Sequence, residues 1–171
     1  MVRVEKLNCG IMLGVESIPD AASFALGIWI KAGSRYDNVE KYGTAHLLEH
    51  MLFRSTKFRS AKKLASDFEY VGAYANAFTT KEHLCVYTRA LNKDLAKVLT
   101  LSMEMVFFPA MSSKELEKEK AVIIEEILSI EDEPEEYALD LTEELLFDGL
   151  TYSHPITGTS DSVNSISKND L

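Results

Sequence analysis

Basic residues are what this sequence is short of. Eighteen Lys and Arg stand against 27 Asp and Glu, a formal charge of -9. No local cluster of Lys or Arg is dense enough to reverse that field, which argues against nucleic acid as a partner. Cysteine is almost as scarce. Cys9 and Cys85 are far apart, each within an apolar stretch that reads as strand, so a disulfide framework is excluded and both are read as reduced. Long apolar runs are missing too. No window reaches the roughly 20 apolar residues needed to cross a bilayer, and Met1 to Gly10 has no apolar run behind a basic segment. The expectation is a cytoplasmic location and no membrane partner. Internal repeats and low-complexity linkers are absent as well.

What is present suits one folded domain. The 171 residues are 46% apolar and 26% charged, enough for a sizeable core. Most of the acidic surplus lies between Glu115 and Asp148, read as a solvated helix face rather than a field for basic substrates. Arg3 to Val15 alternates around Asn8-Cys9-Gly10 and predicts a hairpin. Ala22 to Ala32 alternates as a third strand, with Phe24, Leu26, Ile28 and Ile30 on one face, and Gly33 to Asn38 follows as a loop.

From Tyr42 the period becomes helical, with Gly43 and Thr44 at the start and Leu47, Leu48, Met51 and Leu52 recurring. Ser60 opens a second helix carrying Leu64, Phe68 and Val71, which ends at Gly72. Ala73 to Thr79 and His83 to Leu91 read as strands, and the stretch from Leu95 that ends before Pro109 as a helix. Ser112 and Glu115 form a capping-box pattern for a helix reaching about Ile130. Pro134 starts another helix, and Ser167 to Leu171 resembles the beginning of one more. The order β-β-β-α-α-β-β-α-α-α predicts an α+β fold, mostly antiparallel sheet with helices packed on one face, incomplete at its C-terminal end.

The chemistry concentrates in His46-Leu47-Leu48-Glu49-His50. On a helix, His46 and His50 project from one face a turn apart, so both imidazoles can reach one cation, while Glu49 stands beside it without taking a coordination position. This order inverts the His-Glu-x-x-His pattern and forms its own zinc class. The pentapeptide alone leaves open two surface histidines beside a carboxylate, but the neighbouring Leu47, Leu48, Met51, Leu52 and Phe53 describe a buried helix, where such groups are costly unless paired or metallated. A catalytic zinc takes three protein ligands and keeps one position open. The helix from Ser113 supplies two candidates seven residues apart on nearly one face, Glu119 and Glu126. Glu126 adjoins the stripe of Ile123 and Ile127, and Glu119 also fits a solvated acidic face. His83, at a strand start, and His154, before Pro155, have no partner at ligand spacing.

With both pieces in hand the chain closely resembles the pitrilysin, insulin-degrading enzyme and mitochondrial processing peptidase family of inverted-motif zinc metallopeptidases, and within it the short processing-peptidase-like bacterial or archaeal members. The family pattern is His-x-x-Glu-His followed by a helix reading like Val-Ile-x-x-Glu. Here 76 positions separate His50 from Glu126, and Val122-Ile123-Ile124-Glu125-Glu126 carries the matching helix. Ala32-Gly33-Ser34-Arg35-Tyr36-Asp37 and Gly43-Thr44-Ala45-His46 match the approach to the metal helix.

The resemblance implies residues 1–171 as a single, incomplete N-terminal zinc-binding domain. It implies Zn2+ held by His46, His50 and Glu126, Glu49 as general base, and Glu119 supporting the ligands from behind. Asn76, Ala77 and Phe78 would sit on an edge strand that pairs with an extended substrate, although an ordinary edge strand has the same pattern. The implied activity is zinc-dependent endopeptidase cleavage of peptides or unfolded segments. The implied partner is a homologous second domain or subunit, as homo- or heterodimer. The alternative is a non-catalytic structural or binding subunit, or a segment inactive without its partner domain.

Overall fold

The computed structural model describes residues 2–171. Strands β1 (Val2–Lys6), β2 (Met12–Glu16) and β3 (Ser23–Ile30) come first, then helices α1 (Thr44–Leu52) and α2 (Ala61–Tyr70). Strands β4 (Tyr74–Thr79) and β5 (Leu84–Leu91) follow, and helices α3 (Leu95–Phe107), α4 (Ser113–Glu131), α5 (Pro134–Leu146) and α6 (Ser160–Ser165) complete the chain. None of the helices is long and apolar enough to cross a membrane.

The strands form two antiparallel sheets. The β1–β2 hairpin stands alone, while β3, β5 and β4 make a three-stranded sheet in that spatial order, leaving β4 at an edge. Tyr87 lies between Gly27 of β3 and Asn76 of β4, which sets the register. Alternation then decides the faces. Leu84, Val86 and Ala90 of β5 and Ala77 of β4 point into a core with Leu52, Leu64, Phe68, Val98, Leu101 and Met105 from α1, α2 and α3. On the opposite face Trp29 and Phe78 meet edge to face, their centroids 5.6 Å apart. The outer strands β3 and β4 are therefore half-buried, the central β5 is mostly buried, and the helices cover one side of the sheet. A second core joins Leu47 and Met51 of α1 to Leu116, Ile123 and Ile127 of α4 and to Val163 and Ile166 at α6.

Three local expectations change. Ser112 precedes α4 but makes no side-chain cap. Glu115 instead accepts hydrogen bonds from the Ser55 hydroxyl at 2.6 Å and the Ser55 backbone N–H at 3.3 Å, a tertiary contact that replaces the local box. The last helix is Ser160–Ser165, opened by a reciprocal Thr159–Ser162 box, rather than at Ser167–Leu171, which is not helical. Cys9 lies in the exposed β1–β2 turn instead of a strand, whereas Cys85 is buried; both are free thiols.

The link between α1 and α2 is held by charge. Arg59 bridges Asp67, at 3.0 Å, and Glu104, which also accepts from the Thr56 hydroxyl at 2.5 Å. Glu104 is only 7% exposed. Removing one member of such a pair strands the other in a dry site. Arg59→Met should therefore lower unfolding free energy by about 3 kcal/mol in urea titrations, and Arg59→Met with Glu104→Leu should regain a good part of it.

Candidate metal centre

Helix α1 begins where the backbone is pinned from two sides. Asp37 accepts from the N–H of Gly43 at 2.9 Å and of Ala45 at 3.0 Å, occupying donors that a helix start leaves free. Gly43 has φ of 91°, and a Cβ there would collide with the Thr157 carbonyl. The Ser162 hydroxyl donates to the Tyr42 carbonyl at 2.8 Å. The loop before α6 thus clamps the turn that launches the histidine helix.

Leu47 and Met51 face Ile123 and Ile127, and this packing brings the polar side chains of the two helices together. The Nε2 atoms of His46 and His50 lie 3.9 and 3.7 Å from Glu126 Oε2. One potential donor atom from each of the three residues falls within 4.8 Å of the others. The two imidazoles stand edge to face, 4.7 Å between centroids. Burial pushes His46 down to about 4, so its ring is neutral at neutral pH and keeps a lone pair to offer.

Behind this group sits Glu119, its side chain 4% exposed. One oxygen is 3.3 Å from His50 Nδ1 and the other 2.5 Å from the Arg54 guanidinium. Glu49 projects from α1 toward the end of β4, where the Thr79 hydroxyl donates to its Oε2 at 2.5 Å. Burial raises the Glu49 carboxyl above its ordinary value, and the Thr79 hydroxyl opposes the rise.

The donor set fits zinc. Imidazole nitrogen and carboxylate oxygen are ordinary zinc donors, and tetrahedral bonds of about 2.1 Å space such donors roughly 3.4 Å apart, against 3.7 and 3.9 Å from Glu126 to the two Nε2 atoms here. Asn76, Ala77 and Phe78 lie on the edge strand β4, in the three positions before Thr79, the residue of that strand that meets Glu49. His83 packs against Trp29, with centroids 6.2 Å apart, and His154 stacks on Tyr42 at 3.7 Å; neither joins the cluster. Thr79 and Arg54 are the participants that motif reading passed over. Both act through contacts between distant segments, and neither sits at a spacing that marks it.

A family model described as Insulinase (Peptidase family M16) matches residues 14–160. A Bacillus subtilis protein named as an uncharacterized zinc protease, YmxG, is 34% identical over 170 residues, covering 98% of this chain and 42% of its own length. The human mitochondrial-processing peptidase subunit beta is 33% identical over 169 residues, covering 99% of this chain and 34% of its own. The chain thus spans less than half the length of these relatives. Among solved structures, a Helicobacter pylori protease superposes with a TM-score of 0.93 at 22% identity, over 99% of this chain and 41% of that one. A Pseudomonas fluorescens structure described as a peptidase M16 inactive domain superposes with a TM-score of 0.92 at 21% identity, over 99% of this chain and 42% of that one. At these identities the two superpositions establish the fold alone.

The start of α1 carries a measurable pH signature. Burial lifts the Asp37 carboxyl to about 6 from an ordinary 3.8, outweighing the backbone N–H groups that pull it down. A carboxyl raised in the folded state keeps its proton while the unfolded chain loses it, so its contribution to stability falls as pH rises from about 4 to 6. The unfolding free energy of wild type minus that of Asp37→Asn should decline across this window and level off above it. Asp37→Ala, which removes both acceptors, should cost about 1 kcal/mol by denaturant titration at neutral pH.

Proposed function

This chain belongs to the insulinase family of peptidases, M16, and from that premise we propose that it is the zinc-binding domain of a zinc-dependent endopeptidase. The observation that carries the reading is the meeting of His46, His50 and Glu126, donated by two helices far apart in sequence, with Glu49 beside them on α1. These three residues would hold the zinc ion, with Glu49 as general base. When bound, zinc would supply Lewis acidity, making water nucleophilic near neutral pH and polarising a carbonyl.

The chain's own residues perform the rest. Glu49, pinned at one oxygen by Thr79, takes a proton from the attacking water and returns it to the departing amine. Its raised affinity for protons suits both halves of that task. Asn76, Ala77 and Phe78 present the free edge of β4, where an extended peptide adds as a further strand beside the base. The substrates are peptides or unfolded polypeptide segments, since only an extended backbone offers the strand that this edge can take. The relatives' greater length, and the naming of one as a subunit, support a further domain or subunit as partner.

A second reading keeps the fold without the activity. The Pseudomonas fluorescens neighbour described as an inactive domain favours it, while the retention of His46, Glu49, His50 and Glu126 in this chain speaks against it.

Metal analysis of the purified protein should find about one zinc per chain. Glu49→Gln should keep that zinc and abolish cleavage of a fluorogenic peptide; retained cleavage, or lost zinc, would remove Glu49 from its role. Glu126→Gln should weaken zinc binding in competition with a chromogenic chelator, and an unchanged affinity would require another third ligand.

A further inference from the structure

We propose that Arg54 is a positioning residue of the metal centre: by clamping Glu119 it fixes the orientation and tautomer of the His50 ring, and so sets how tightly the cation is held. The inference rests on the zinc site proposed above, and the contacts that carry it belong to the protein alone. Arg54 sits in the turn that closes α1, where its backbone N–H donates to the Met51 carbonyl at 3.1 Å. Its guanidinium reaches across to α4 and meets Glu119 Oε1 at 2.5 Å. The other oxygen of the same carboxylate faces His50 Nδ1 at 3.3 Å.

A planar carboxylate held at one oxygen has little freedom at the other. Glu119 can only accept, so it selects the His50 tautomer protonated at Nδ1 and leaves the Nε2 lone pair facing His46 and Glu126. Without Arg54, a carboxylate this deeply buried loses its counter-charge and the anchor that aims it. The neighbouring lysine is no substitute. Lys120 is spent on Glu117 at 2.9 Å and on the Asn164 carbonyl at 3.2 Å, on another side of α4. Among the described residues, the ion pairs of Glu119 are with Arg54 and His50.

The two histidines differ in this respect. His46 Nδ1 is buried without a hydrogen-bond partner, so the hold from behind falls on His50 alone. Arg54 Nε is likewise buried and unpaired, which leaves the Glu119 contact as the guanidinium's anchor. A lysine would keep the charge but carry it on a more flexible stem, as a point charge in place of the planar guanidinium.

The test compares wild type, Arg54→Met and Arg54→Lys in the full chain, with Lys118→Met as a surface control. Zinc affinity is measured by chelator competition, and the tautomer of metal-free His50 by long-range 1H–15N correlation. Loss of a partner behind a metal ligand typically costs 10–100-fold in affinity, so Arg54→Met should bind zinc at least about tenfold more weakly, with Arg54→Lys between it and wild type. His50 should carry its proton on Nδ1 in wild type and show a mixture of tautomers in Arg54→Met. Unchanged affinity and tautomer in a folded Arg54→Met protein would overturn the inference. If that variant does not fold, Arg54→Gln takes its place under the same criterion. Absence of zinc binding by wild type would instead defeat the proposed metal site, while the metal-free tautomer comparison would still decide whether Arg54 orients His50.

Discussion

The packing of α1 on α4 is the constraint on which the rest of the site depends. Leu47 and Met51 are one turn apart on α1, and Ile123 and Ile127 one turn apart on α4; together they make a dry seam. The chemistry is written one position out of step with it. His46 and His50 each precede a seam residue, Glu119 lies four positions before Ile123, and Glu126 lies three after it. Because residues three and four apart share a helix face, locking the apolar seam also locks the register of the polar groups along its border. Burial of the seam brings His46, His50 and Glu126 together as candidate donors.

The seam sets the register but not the start of α1. Asp37 and the loop before α6 do that, one through hydrogen bonds to free N–H groups and the other by close backbone approach at Gly43. Residues Thr157 to Ser162 look like a polar connector in composition, yet they buttress the turn that aims His46. The end of the described chain is thus part of the support for its most chemical segment.

Much of the fold was legible because the sequence changes period sharply. Alternation in Phe24 to Ile30 and helical spacing from Leu47 to Leu52 depend on local geometry alone, and the structure follows both. Position-specific polar contacts were less legible. Ser112 and Glu115 have capping-box spacing, but the Ser55 hydroxyl competes for Glu115 from a segment 60 residues away. Helix α6 leaves little trace in the sequence because its six residues carry little apolar periodicity and its Thr159–Ser162 box lacks the usual Glu or Gln. Motif and resemblance name His46, Glu49, His50 and Glu126 as candidates, and the structure brings His46, His50 and Glu126 within reach of one another. Thr79 and Arg54 could not be named in this way, because each is defined by a partner 30 or more positions distant.

Glu119 and Glu126 show how one helix can place similar residues in different surroundings. They are seven positions apart on nearly the same face of α4, and composition alone does not distinguish them. Depth does. The Glu119 side chain is 4% exposed and its oxygens face Arg54 and His50, whereas the Glu126 side chain is 43% exposed and faces the two Nε2 atoms. A deeply buried carboxylate already committed to a cation serves best as a fixed support. A half-exposed one can exchange water for a metal at little cost. The difference in depth between these two positions, within a helix whose Ile123 and Ile127 stay buried, is what separates a candidate support from a candidate ligand.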